Sequence, residues 1–326
     1  MAATTISDLI NPEVWSAYGQ ENLSVHSLLQ AAGVVEINNR PDVVIGDQYT
    51  REPKLKPLTS TGASEQIVAN TNVTLSNTTA AAEYGVIVRR AKGWAEEDLV
   101  QITSGVAPMQ SQMAQFTEYW AREIETAIFN TVKGAFGSSG ALEGTHQNDQ
   151  SGSSLTNAMI TSTKFLLGEA FNQFDTMVVS STHMQSLINL GTVDYVDAGS
   201  LGADILLRGI IPVWAGMRVV VNDTLCPAWT GSVYPIYLMG GQPLRISYQR
   251  PLRMESDRDI VLAAGTNRFV SSVHFAPHVK GVSYSSSGTP TATTNPTNAQ
   301  LATASNWEKV ATNDDAIRIV QLLALA

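Results

Sequence analysis

Three residues have the types needed for hydrolysis: a serine and a histidine near residue 180, and an aspartate further along the chain. Ser180 and His183 lie three positions apart, and Asp223 follows a predicted strand. A serine, a histidine and a carboxylate can serve as nucleophile, general base and orienting group. An ordinary helix N-cap, predicted at Ser181 or Thr182, and a turn explain the same residues. A hydrolase is therefore the most remote of the functions considered.

Two histidines, His274 and His278, are the best candidates for metal ligands. Their segment alternates like a β-strand and carries Pro277, so at about 3.3 Å per residue the two rings lie roughly 13 Å apart. That separation is too large for one zinc ion. Asp257 and Asp259 share a strand face but alternate with arginine, which is typical of a salt-bridged edge. Motifs for nucleotides, phosphate, zinc proteases and calcium do not occur, and we predict no catalytic residue, no cofactor and no metal.

The composition indicates a protein that packs against other protein. The chain has 326 residues, 44% of them apolar and only 15% charged, below the roughly 25% charged residues of an average soluble domain. Its net charge of -9 disfavours nucleic-acid binding. The single cysteine, Cys226, excludes an internal disulfide framework and fits a reducing compartment. No apolar run is long enough to span a membrane, and the start lacks the pattern of a cleavable signal.

The clearest predicted element is a helix over residues 108–133. Pro108 suits its first turn, and Gly134 suits a left-handed C-cap. Apolar residues recur in it at spacings of three or four. They are Met109, Met113, Phe116, Trp120, Ile124 and Ile128.

Before this helix the sequence predicts a long β-hairpin, and after it a mixed region. Two strand-like runs, the second containing VIVRRAKGW, flank a polar stretch rich in Ser, Thr and Asn. A lone ribbon of this kind is marginally stable in water, so it needs a surface to lie on. Residues 137–155 read as a loop and residues 156–172 as a helix. Strands follow, and the last, AIRIVQLLALA, must be covered by the body of the domain.

Basic and acidic clusters occur on this predicted hairpin and just after it. A solvated surface explains them, and so does docking between copies, because a neighbouring copy offers the complementary charge. The candidate contact residues are Arg51, Lys54, Lys56, Arg89, Arg90, Lys92, Trp94, Glu96, Glu97 and Asp98.

The order of these parts resembles the major capsid protein fold of tailed bacteriophages, which is an α+β fold. The resemblance rests on RAKGWAEEDLVQITSG, on PMQSQMAQFTEYWAREIETAIFNTVKGAF, on DTMVVSSTHMQSLINLG, on GMRVVVNDTL and on NPTNAQLATASNWEKV followed by a strand. It covers nearly the whole chain.

The resemblance implies five parts. Residues 1–45 would be an N-terminal arm and 46–95 an extended β-hairpin loop that re-enters the body with Trp94 as its anchor. Residues 96–155 would form a peripheral domain with the spine helix, and 156–267 an axial α/β domain. Residues 268–326 would return to the peripheral domain with a C-terminal helix and strand.

The resemblance also implies a function. Pentamers and hexamers of the chain would form an icosahedral shell around double-stranded phage DNA, without sequence-specific binding. Its partners would be copies of itself, a separate scaffolding protein, a portal and cement proteins. It would assemble in the host cytoplasm and reside in the virion. The alternative of the same fold is a bacterial nanocompartment shell that encloses an enzyme. Some relatives join subunits by Lys to Asn crosslinks, but no motif at Lys54 or Lys56 predicts one here.

Overall fold

The computed structural model describes residues 33–38, 44–45, 48–55, 66, 72, 80–97, 113–191, 194–196, 211–260, 265–286, 288–290 and 294–326. The predicted N-terminal arm therefore lies mostly outside the described residues, as do the first residues of the predicted spine helix. Among the described residues, no helix combines the length and the apolar character needed to cross a bilayer.

The described chain contains helices and two larger sheets whose strand pairs are mostly antiparallel, which agrees with the predicted α+β class. The helices are α1 (Met113–Phe136), α2 (Glu143–His146), α3 (Asn157–Lys164), α4 (Ser181–Asn189) and α5 (Asn298–Leu301). The first strands are β1 (Val35–Asn38), β2 (Val44–Ile45), β3 (Tyr49–Leu55), β4 (Ala80–Val86), β5 (Val88–Glu97), β6 (Gln147–Ser154), β7 (Thr176–Val179), β8 (Asp194–Val196) and β9 (Ile211–Trp214). The later strands are β10 (Met217–Val221), β11 (Val233–Met239), β12 (Leu244–Asp259), β13 (Thr266–Val279), β14 (Val282–Ser283), β15 (Ser285–Ser286), β16 (Thr289–Pro290), β17 (Glu308–Lys309) and β18 (Ile319–Leu325).

Helix α1 is the predicted spine, about 36 Å long at 1.5 Å per residue, and it packs on a sheet of order β1-β12-β13-β5. The periodic residues Phe116, Trp120 and Ile124 are buried, as their spacing predicted. The indole Nε1–H of Trp120 donates to Oγ of Ser271 on β13 over 2.8 Å. One hydrogen bond thus fixes the helix to the centre of the sheet, where its apolar stripe lies.

Gly134 does not end this helix, contrary to the prediction, because α1 continues through it to Phe136. A Cβ at Gly134 would lie 2.2 Å from the carbonyl oxygen of Leu301 and 2.4 Å from Nε1 of Trp307. The glycine therefore lets the segment that follows α5 pack directly against the helix backbone. Its role is close approach and not a left-handed conformation.

The second sheet has the order β6-β18-β11-β7-β10-β9-β8 among the described strands, and its strands β18, β11 and β7 are buried at nearly every position. Strand β7 is buried at every position, and β18 is buried from Ile319 to Ala324. Such continuous burial explains why these strands read as apolar runs without alternation. The predicted final strand is confirmed and lies well inside the sheet.

One feature of this sheet corrects the prediction. The polar segment predicted as a loop contains β6, which pairs in parallel with β18, because its hydrogen bonds come from the backbone and need no apolar side chains. The domain boundary predicted between residues 267 and 268 stays a prediction. Strand β12 pairs with β13 beside the spine helix, and β18 pairs with β11 in the seven-stranded sheet.

The hairpin is formed by β3 and β4, with Arg51 opposite Tyr84. Strand β5, which was predicted to continue the second strand of the hairpin, pairs with β13 in the four-stranded sheet instead. The chain changes sheet at Ile87, which is buried together with Val86 and Val88. Three consecutive buried residues cannot alternate between a core face and a solvent face, so the apolar run VIV marks a crossing between two sheets.

The remaining helices are shorter than predicted. Helix α3 ends at Lys164, and a 3-10 helix continues to Gln173 across a kink at Gly168, where φ is 56°. Ser180, one residue before the predicted positions, is the N-cap of α4 and accepts from the N–H of His183. Helix α5 is a single turn that begins with a capping box of Thr297 and Gln300.

Candidate subunit interface

Two carboxylates at the base of the hairpin face two cationic or ionisable groups of the four-stranded sheet. Glu52 and Glu83 are directly opposite each other on β3 and β4. Arg245 and His278 are directly opposite each other on β12 and β13. The Arg245 guanidinium binds Glu52, and Nε2 of His278 lies 3.2 Å from Oε2 of Glu83. These two paired contacts fix where the hairpin leaves the body.

A third carboxylate, that of Glu36 on β1, completes this charged cluster. It lies 2.7 Å from Nζ of Lys280 and 3.3 Å from Nε of Arg245. The hydrogen bond from Lys280, aided by the charge of Arg245, lowers the pKa of Glu36 against the opposing effect of burial. Burial opposes the charge of Arg245, but its bonds to Glu52 and Glu36 outweigh that effect and raise its pKa. Glu36 and Arg245 therefore both stay charged at neutral pH.

Strand β5 is tied to the C-terminal part of the chain at its first residues. Asn295, at a left-handed φ of 48°, accepts the backbone N–H of Arg89 with its Oδ1 over 2.8 Å. The guanidinium of Arg90 donates to the same oxygen and, over 2.6 Å, to the carbonyl of Pro296. Burial lowers the pKa of Arg90, and the negative charge of Glu123 on α1 opposes that shift. Arg89 and Arg90, predicted as contacts between copies, thus have partners within the subunit.

Trp94 packs into an aromatic group between β5, β13 and the spine helix. Its ring centroid lies 4.4 Å from that of Phe116, 5.7 Å from that of Tyr119 and 6.2 Å from that of Phe269. Phe116 and Phe269 stack on each other at 5.1 Å. The indole therefore joins the strand that follows the hairpin to the helix that comes next in the chain.

The other predicted contact residues fall into two groups. Arg51, Lys92 and Glu97 are exposed, and Glu96 is half-buried, so four charged residues remain at or near the surface. Lys54 lies on β3, but its side chain is not described, and Lys56 and Asp98 lie outside the described residues. The structure does not bring Arg51 and Lys92 onto paired strands, because β3 and β5 belong to different sheets.

The three residues considered for hydrolysis have structural roles. Oγ of Ser180 accepts the backbone N–H of His183, not its ring, and Oδ1 of Asp223 accepts the backbone N–H of Ser181 over 2.7 Å. The ring of His183 is buried and meets Tyr234 edge to face at 5.9 Å. Burial lowers the pKa of His183 to about 4, and the nearby backbone of Leu325 and Ala324 opposes this shift. The arrangement caps helix α4 and exposes no nucleophile.

Metal ligation finds no support in the described part of the chain, where no group of three or more His, Cys, Asp or Glu side chains could hold an ion. His274 and His278 lie four residues apart on β13, as predicted, and His278 faces Glu83.

Sequence reasoning missed the residues that position this region. Glu52 and Glu83 are ordinary acidic residues in the sequence, and only the pairing of β3 with β4 places them side by side. Asn295 was not singled out as a contact residue. Its position before Pro296 is compatible with an extended or turn conformation, yet nothing local indicates its contact with β5.

Comparison with known proteins agrees with this architecture. The family model described as Gp13-like, major capsid protein 13-like, matches residues 30–317. The major capsid protein of Bacillus phage SPP1 is 25% identical over 336 residues, covering 98% of both chains. The capsid structure of cyanophage P-SCSP1u superposes with a TM-score of 0.57 at 13% identity, covering 89% of this chain and 86% of that one.

An encapsulin has the same fold. The SrpI encapsulin of Synechococcus elongatus superposes with a TM-score of 0.54 at 10% identity, covering 90% of this chain and 85% of that one. The fold alone therefore does not separate a phage coat from a nanocompartment shell. The family match and the relative of nearly equal length do so, since both are phage major capsid proteins. The chain belongs to the Gp13-like family of phage major capsid proteins.

Proposed function

We propose that the chain assembles as pentamers and hexamers into a closed icosahedral shell around double-stranded phage DNA, and that it is not an enzyme. The observation that carries this proposal is the family match over residues 30–317. The low share of charged residues and the net charge of -9 support it, because the lining of a container should not bind its DNA tightly. Assembly would take place in the host cytoplasm.

The two larger sheets correspond, in this proposal, to the two domains of the subunit. The spine helix with the sheet β1-β12-β13-β5 would be the peripheral domain. The sheet from β6 to β8 would be the axial domain, near the symmetry axes, and the hairpin of β3 and β4 would be the extended loop. A separate scaffolding protein, a portal and cement proteins would be its partners, together with copies of itself.

Contacts between copies would use the charged residues that are exposed or half-buried. Arg51 lies on the hairpin, and Glu96 and Glu97 lie at the end of β5. Both groups occur in every copy, so a head-to-tail contact places the basic group of one copy against the acidic group of the next. Each such contact can be weak, because one subunit makes many of them at once.

Charge reversal tests this contact. Arg51→Glu alone and Glu97→Lys alone should each reduce the yield of closed shells by at least about tenfold if the charges meet. The double variant should recover most of that yield. Glu169→Lys, at another exposed acidic position, serves as the control. Shells at normal yield from both single variants would contradict the charged contact and leave the capsid function standing.

The nanocompartment is the second candidate function, and the structural similarity to the SrpI encapsulin favours it. It differs in the cargo, which would be an enzyme. Purified shells would then contain protein and no DNA, which absorbance at 260 and 280 nm distinguishes.

A further inference from the structure

A small polar cavity lies between the base of the hairpin and the four-stranded sheet, next to the contact between His278 and Glu83. It has a volume of about 20 Å³, and one water molecule needs roughly 10–15 Å³. Among its lining residues are Thr50 and Gly85 from the hairpin and Ser247 and His278 from the sheet. The cavity therefore lies where polar groups of the two sheets meet, and it has room for one small polar ligand.

One ring nitrogen of His278 needs a partner that this cavity can supply. The imidazole is only 8% exposed, and its Nε2 lies 3.2 Å from the Glu83 carboxylate. Because a carboxylate accepts hydrogen bonds, Nε2 carries a proton in this contact. The other nitrogen, Nδ1, is buried and makes no hydrogen bond to any residue that the structure describes. Buried polar atoms are almost always hydrogen-bonded to protein or to ordered water, so a water is the expected partner of Nδ1.

The hydroxyl groups of Thr50 and Ser247 supply the further contacts that a bound water requires. A buried water typically makes about three hydrogen bonds. Thr50 pairs with Gly85 across the hairpin, and its Oγ1 and Nδ1 of His278 both lie near the position of a Cβ at Gly85. Ser247 is buried on β12 and lines the same cavity. Because a hydroxyl can both donate and accept, these two groups suit a water in either orientation.

Gly85 keeps this space open. A Cβ at this position would lie 2.4 Å from Oγ1 of Thr50 and 3.7 Å from Nδ1 of His278. A methyl group would therefore stand between two of the groups that line the cavity. Gly85 is not among the glycines with a positive φ, so the space beside it, and not its backbone conformation, explains why the residue is a glycine.

We propose that the cavity binds one ordered water molecule, which joins Nδ1 of His278 to the hydroxyl groups of Thr50 and Ser247. When the ring is neutral, the water donates to Nδ1. A contact bridged by water is nearly as favourable as a direct hydrogen bond. The base of the hairpin is then held to the body by this bridge as well as by the contacts of Glu52 and Glu83. The site belongs to the single subunit, so it goes beyond the proposed assembly and does not depend on it.

A map of the full-length protein that shows ordered waters, from crystallography or electron microscopy, tests the site directly. The expected result is a peak about 2.7–3.2 Å from Nδ1 of His278 and within the same range of at least one of the two hydroxyl oxygens. A map with buried waters elsewhere in the subunit but no peak here would overturn the proposal. A peak about 2.0–2.1 Å from Nδ1 would overturn it as well, because that distance is typical of a metal ion.

Substitutions test the bridge in solution. Gly85→Ala should exclude the water and raise hydrogen exchange in β3 and β4 by at least about fivefold. Gly93→Ala is the matched control, because the nearest atom to a Cβ there lies 3.6 Å away, an ordinary contact. Thr50→Val keeps the side-chain volume and removes one hydroxyl, so it should raise the same exchange and tests the bridge even if Gly85→Ala does not fold. Exchange in Thr50→Val equal to that in Gly93→Ala would contradict the bridging water.

Discussion

Gly134→Ala should separate the C-terminal segment from the spine helix. The new Cβ would lie 2.2 Å from the carbonyl oxygen of Leu301, 2.4 Å from Nε1 and 2.6 Å from Cδ1 of Trp307. These distances are far below van der Waals contact, and one of the atoms belongs to the backbone. The segment must therefore move away from the helix by an ångström or more.

That movement weakens buried contacts that depend on close packing. Nε1–H of Trp307 donates to the carbonyl of Leu301 over 2.7 Å, and both residues are buried. Overpacking of a core costs about 1–3 kcal/mol, and a strained buried hydrogen bond adds about 1 kcal/mol or more. Alanine regains about 1 kcal/mol through its higher helix propensity. We expect a net loss of about 2 kcal/mol in the free energy of unfolding.

Thermal unfolding of the unassembled subunit, followed by circular dichroism, measures this loss. A midpoint about 3 °C below that of the wild type is expected for a chain of this size. Hydrogen exchange should increase in α5 and the following turn. Gly144→Ala is the control, because nothing lies within 4 Å of the Cβ at that position. A midpoint for Gly134→Ala equal to that of Gly144→Ala would refute the close-approach role of Gly134.

Three further predictions concern pH and side-chain packing. The pKa of His183 is about 4 in the folded protein, so the unfolded chain binds the proton first as pH falls. Stability is therefore lost between about pH 6.5 and 4, by up to roughly 3 kcal/mol. His183→Phe should flatten this pH dependence in urea titrations, and an unchanged slope would contradict the role of His183. Arg245→Met should lower the free energy of unfolding by about 2 kcal/mol because it deprives two carboxylates of their partner. The control Arg253→Met, at an exposed ion pair, should lower it by less than about 0.5 kcal/mol. Equal urea midpoints for the two variants would rule out the charged cluster as a stabilising contact. Trp94→Ala should leave a subunit that folds but is about 2 kcal/mol less stable. This variant should form no closed shells in negative-stain images, whereas Trp94→Phe should assemble. Shells at wild-type yield from Trp94→Ala would show that this anchor is dispensable.

The elements that could be predicted are those whose buried residues form a regular local pattern in the sequence. Phe116, Trp120 and Ile124 recur at helical spacing, so the spine helix was evident from the sequence. Strands β7 and β18 were equally evident, because sheets buried on both faces leave continuous apolar runs. The family match confirms the resemblance to phage major capsid proteins.

What escaped prediction depends on contacts between distant parts of the chain. Strand β6 is held to β18 by backbone hydrogen bonds and needs no apolar side chains, so its sequence resembles that of a loop. The second strand of the hairpin was predicted to continue into β5 because the apolar run at Ile87 resembles strand alternation. The run is in fact where the chain crosses from one sheet to the other. Gly134 resembles a C-cap in the sequence, and only the position of Leu301 shows its use in packing.

The candidate interface was accessible only in outline. The sequence indicates basic and acidic clusters, but Arg90 is satisfied within the subunit by Asn295 and Pro296, more than 200 positions away. Lys92 and Glu97 remain exposed, and their contact role stays a prediction.

Electron microscopy of the purified protein, expressed alone and together with its neighbouring genes, tests the central claim most directly. The account predicts uniform closed shells in at least one preparation, with DNA as their content when packaging genes are present. Small monodisperse particles in both preparations would contradict the capsid function for this chain, and closed shells filled with an enzyme would replace the phage coat by a nanocompartment.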